Sequence, residues 1–128
     1  MKDKAKYWVE LSDYDLATAE ALLKSLRFLY VGFMCHQTIE KIFKAYLVHL
    51  KNDNAPYSHS LSFIAKKGDF YNEFDEVKKR FIDQLEPLNI ETRYPLHKER
   101  LLKSLNEDKC KEILNKTREL QEWIKLKL

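Results

Sequence analysis

From His36 to Leu47 the chain reads HQTIEKIFKAYL, and its polar and apolar residues recur with the period of a helix. At about 100° per residue, His36, Gln37, Glu40, Lys41 and Lys44 fall within one arc of roughly 140°, while Val31, Cys35, Ile39, Ile42, Phe43, Tyr46 and Leu50 fill the opposite side. The pattern predicts a long helix that packs through one face and presents polar chemistry on the other.

The rest of the chain agrees with that geometry. Only 2 Gly and 3 Pro occur in 128 residues, and 19 Leu stand against 4 Val, a balance that favours helices over strands. An all-α domain spanning residues 1–128 is expected, an up-and-down bundle of about five helices, four long and one short. A chain of this length buries roughly two thirds of the surface its unfolded form exposes, enough to fold without metal or disulfide support. Cys35 and Cys110 lie among apolar residues at helical spacing and read as two buried thiols. The start MKDKAKYWVELSDYD has no apolar leader, and no stretch approaches the roughly 18 uncharged apolar residues of a membrane span, so a cytoplasmic protein is expected.

Punctuation divides the chain. A first helix runs from about Asp3 to Leu26, with Trp8, Leu11, Ala19, Leu22 and Leu26 on one stripe. Asp15 falls in that stripe, where a carboxylate is costly unless it is paired or faces a polar cavity. The second helix, about Leu29 to Leu50, ends in the turn-rich KNDNAP and forms an antiparallel hairpin with the first; Gly32 near its start marks a close helix contact. A short helix opens at Ser58 or His59 and closes at Gly68, and another runs from about Tyr71 to Leu85. The segment PLNIETRYPLHKERL reads as irregular, with Arg93 and Tyr94 presented on a loop ahead of Pro95. Asn106 caps a last helix from about Asp108 to Leu126.

A net charge of +3 is too small to announce a dedicated nucleic-acid binder, and the basic residues around Lys78, Lys79 and Arg80 read as solvated faces. No paired C-x-x-C or H-E-x-x-H spacing, Walker loop or dinucleotide glycine signature is present, so neither a metal nor a cofactor is expected. Two features remain. The polar arc of the second helix is either a solvated face or a surface that receives a partner subunit or an anionic ligand. Arg93 and His97 sit in a proline-fixed segment; Arg clamps phosphate and His transfers protons near neutral pH, a pair suited to metal-independent RNA cleavage. His59 reads as a cap of the short helix or a bond to the loop backbone.

HQTIEKIFKAYL, then PYSHSL at Pro56 to Leu61, ETRYP at Glu91 to Pro95 and RELQEWI at Arg118 to Ile124 resemble, in this order and at these distances, the HEPN domain family. YWVELSDYDLATAEALL, Tyr7 to Leu23, looks like that family's first helix. The resemblance implies a helical bundle that forms a homodimer, with Asp15, Glu40, Lys44 and Arg93 converging in a shared cleft for a nucleotide or RNA phosphate, and with His36, Gln37, Lys41 and Tyr94 as further cleft residues. Ribonuclease members of the family space Arg and His somewhat more widely than the three residues between Arg93 and His97, and place a polar residue where Tyr94 stands. The RYP segment resembles instead the branch that accompanies a separate minimal nucleotidyltransferase, which implies a toxin-like partner in a two-component system. The alternatives are a metal-independent endoribonuclease using Arg93 and His97, and a non-catalytic helical interaction module.

Overall fold

A computed structural model describes residues 3–91 and 98–128. Arg93, Tyr94 and His97 lie outside the described residues. The elements are α1 (Asp3–Lys24), α2 (Phe28–Lys51), α3 (Leu61–Lys67), a 3-10 turn (Tyr71–Glu73), α4 (Glu76–Leu85), α5 (Leu88–Glu91), α6 (Lys98–Ser104) and α7 (Glu107–Lys125). The expected long helices and the short α3 are present, within a residue or two of their expected ends at most boundaries.

α1 and α2 form an antiparallel hairpin, tied by polar contacts of Trp8 with Lys44, Ser12 with Thr38 and Asp15 with Lys41. α7 runs antiparallel to α1, with Lys125 on Asp13 and Arg118 on Glu20. Ser12 joins all three long helices: its hydroxyl donates to the Thr38 carbonyl at 2.7 Å and accepts from Gln121 Nε2 at 3.0 Å. A buried hydroxyl so placed avoids the cost of an unpaired polar group.

α2 is the central element. Val31, Cys35, Ile39, Ile42, Phe43 and Tyr46 are buried, as the apolar stripe predicts, whereas Leu50 at its end is exposed. Phe43, Phe70, Phe74 and Trp123 then stack or meet edge-on, closing α3, the 3-10 turn and α7 over it. The polar arc departs from expectation: His36, Glu40 and Lys44 are buried as well. α2 is therefore enclosed on nearly every side, and its polar residues form an internal seam where a solvated face was one reading.

Local chemistry explains the other differences. The helix expected from Tyr71 to Leu85 is split, because Asp75 accepts from the Lys78 backbone N–H at 2.8 Å and starts α4 there. The Lys78 N–H in turn holds the Asp75 carboxyl below the usual range. α3 is capped by Ser60, whose Oγ accepts from Phe63 N, where Ser58 or His59 was expected. Gly68 does close α3, but at φ −81°, and the left-handed residue is Asp69 at φ 61°. What Gly68 supplies is space: a Cβ there would stand 2.5 Å from Cε1 of the buried Phe70 ring. Gly32 is the expected contact point, since a Cβ would lie 2.8 Å from Leu88 Cδ1. The segment read as irregular holds the short α5 and α6. Both thiols are buried, and burial pushes Cys35 up to about 12 and Cys110 up to about 11.

Candidate functional site

The polar seam of α2 divides into two linked sets. On one side Lys41 Nζ donates to Asp15 Oδ2 at 2.7 Å and to Gln37 Oε1 at 3.2 Å, and Gln37 Nε2 donates to Asn89 Oδ1 at 3.1 Å. This chain runs from α1 across α2 to α5. It answers the question raised by Asp15, whose carboxylate is offset by the lysine opposite.

On the other side Glu40 is the hub. Its Oε2 accepts from Lys44 Nζ at 3.1 Å and its Oε1 pairs with His59 Nδ1 at 2.9 Å. The Lys44 ammonium also lies 5.3 Å from the centre of the Trp8 ring, a cation–π contact that completes its surroundings. A carboxylate accepts, so Nδ1 carries a ring proton and donates it to Glu40. The His59 side chain is 59 % exposed, whereas that of Glu40 is 2 % exposed. A buried acid thus orients a histidine that reaches solvent.

His59 lines an open pocket of about 380 Å³ with Ser60, Glu86, Pro87 and Asn89. Glu86, from the end of α4, accepts from the Leu61 N–H at 2.7 Å and from the Ser60 and Ser62 hydroxyls at 3.2 and 3.3 Å. Burial raises the Glu86 carboxyl, but His36, the Leu61 N–H and the Ser60 hydroxyl outweigh it and hold the group below its usual 4.5. His36, fully buried on α2, stands between two acids: Nδ1 is 3.9 Å from Glu40 Oε1 and Nε2 is 3.9 Å from Glu86 Oε1. Neither ring nitrogen has a hydrogen-bond partner.

Of the residues singled out in the sequence, His36, Gln37, Glu40, Lys41, Lys44 and Asp15 all belong to this seam, but they do not converge on one point. Asp15 pairs with Lys41, and Glu40 with Lys44 and His59. Glu86, Ser60, Asn89 and Trp8 were missed as site residues. His59 was read as a cap, although the serines of PYSHSL were the better cap formers and left the histidine free for another task. Glu86 and Asn89 carry no local signal. Among the described residues no group of three or more His, Cys, Asp or Glu is placed to hold a metal ion, and no helix is long and apolar enough to cross a membrane.

A family model described as HEPN domain matches residues 5–127. The chain is similar in fold to the crystal structure of TT1696 from Thermus thermophilus, with a TM-score of 0.82 at 19 % identity over 99 % of this chain and 100 % of that one. No curated protein matches it.

Proposed function

The chain belongs to the HEPN domain family, and from that premise we propose that it is a homodimer that binds a nucleotide or RNA phosphate, acting as the toxin-like partner of a minimal nucleotidyltransferase. The observation that carries this reading is the exposed His59 held by the buried Glu40–Lys44 pair at the mouth of the Glu86–Asn89 pocket. Burying an acid and an ammonium is costly, and replacing such a pair with apolar residues is often neutral or stabilising. A pair retained and aimed at an exposed imidazole suits a site that must fix a ring and its tautomer.

Arg93 follows Asn89 by four residues and is the proposed clamp for the phosphate, with Tyr94 beside it in sequence. Asp15, Gln37 and Lys41 brace α5 against α1 and α2, and His36 backs Glu86. The test is thermal unfolding with nucleotides and short RNAs, since a ligand that binds the folded state raises the midpoint by mass action. A shift lost in Arg93→Ala supports the site; no shift with any nucleotide or RNA rejects it. Light scattering that gives a stable monomer at micromolar concentration rejects the homodimer. Co-expression with a small nucleotidyltransferase, followed by size exclusion, tests the partner.

A second reading, a metal-independent endoribonuclease using Arg93 and His97, rests on pairing a phosphate clamp with a proton-transfer group. RNA incubated in chelator with wild type and with His97→Ala separates the two readings. Equal cleavage, or none, in both samples rejects this one.

A further inference from the structure

The face of α1 and α2 on the other side of the Glu40–Lys44 pair holds a groove of about 560 Å³ whose walls include Tyr7, Trp8 and Tyr57. Tyr57 is fully exposed and Tyr7 is 57 % exposed, so two rings are left in water while Trp8 lies half-buried between them and the core. Both exposed rings line the same groove, where they are open to a stacking partner. Tyr7 meets Trp8 edge-on, with ring centres 5.6 Å apart and planes at 74°. The rim is polar: Lys4 Nζ donates to Asn54 Oδ1 at 2.9 Å, and Asp3 lies beside them.

We propose that this groove is a nucleobase subsite for single-stranded RNA, contiguous with the His59 pocket, so that the ligand is an oligoribonucleotide and not a mononucleotide. The proposal rests on the RNA-binding reading above. Three features argue for a base. The rings offer π-faces, and base stacking on aromatic side chains is sequence-tolerant. Asp3 opposes phosphate in the groove yet accepts from exocyclic amines, and Asn54 can both donate to and accept from a base edge. The groove also lies next to the pocket along the chain. The non-helical segment from Ala55 to Ser60 places Ala55 and Tyr57 in the groove and His59 and Ser60 in the pocket. Beneath it, Trp8, Lys44, Glu40 and His59 make an unbroken chain of contacts from one to the other. Only Ser58 stands between Tyr57 and His59, so at most roughly 7 Å of chain separates the two.

The test uses the full chain with Trp123→Phe, which leaves Trp8 as the only indole. An unstructured octaribonucleotide should quench Trp8 fluorescence, and a mononucleotide at the same phosphate concentration should quench it far less. Tyr57→Ala should weaken octamer binding roughly tenfold, and Tyr57→Phe should restore it; the ring is exposed, so neither substitution disturbs folding. Octamer binding that is lost in Arg93→Ala but unchanged in Tyr57→Ala overturns the subsite and leaves the pocket reading standing. Octamer binding that duplex RNA matches in strength overturns it as well. No RNA binding by wild type in any assay overturns both.

Discussion

His59 Nδ1 stands 2.9 Å from Glu40 Oε1, and the two side chains differ in exposure by 59 % to 2 %. The contact crosses from the solvent boundary into the bundle, and Glu40 keeps a second partner, Lys44, inside it. Removing either end therefore has unequal consequences.

Glu40→Ala strands the Lys44 ammonium in the core and should cost about 3–5 kcal/mol. His59→Ala leaves Glu40 still paired with Lys44, exposes no new buried charge and should cost about 1 kcal/mol. Replacing both Glu40 and Lys44 with leucine and methionine should recover most of the loss. Urea unfolding of the three variants measures the differences; equal costs for Glu40→Ala and His59→Ala contradict the picture of a hub.

The two glycines should respond differently to alanine. At Gly68 the new Cβ meets the fully buried Phe70 ring, which is locked among Phe43, Tyr46 and Phe74, so a loss of about 1–3 kcal/mol is expected. At Gly32 it meets the end of the Leu88 side chain, which can turn away, and the helical gain of roughly 1 kcal/mol offsets the crowding. Thermal melts of both variants decide: a larger loss at Gly32 than at Gly68 sinks the argument.

Glu86 links stability to acid pH. Its folded carboxyl is held below its usual 4.5, so its contribution is present above that pH and is lost as pH falls through the folded value. Glu86→Gln should lower stability at neutral pH and flatten the decline on acidification. Unfolding midpoints measured from about pH 7 down to about pH 3 test it, and parallel curves for wild type and variant are the contrary result.

Both thiols should resist reagents in the folded protein. With Cys35 pushed up to about 12 and Cys110 up to about 11, and both side chains buried, the thiolate is scarce and out of reach at about pH 8. An Ellman assay should find no rapid thiol without denaturant and two with it. Rapid reaction of the folded protein contradicts the placement of α2 and α7.

Ser60, Glu86 and Asn89 show where sequence reasoning runs out at the site. Asp15 advertised its need for a partner, because an acid inside an apolar stripe violates the pattern, and Lys41 met that need. Glu86 breaks no pattern: it follows α4 as an ordinary polar residue, and only the return of α3 beside it turns it into the acceptor of the Leu61 N–H. Helix boundaries were legible wherever a cap or turn former stood, as at Asn106 and in KNDNAP. They were less so at Asp75, where an apolar period continuing through Phe74 masked the break.

The sequence by itself determined that this chain is all-helical and that α2 carries an apolar stripe opposite a polar arc. Period and capping are local properties, written in neighbouring residues. Only the tertiary structure decided what covers that arc. His36, Glu40 and Lys44 are enclosed because α1, α3 and α4 close around α2, and Glu40 meets His59 because the segment before α3 folds back across it. Burial depends on which distant elements meet, and periodicity records the direction of a side chain without recording what lies opposite it.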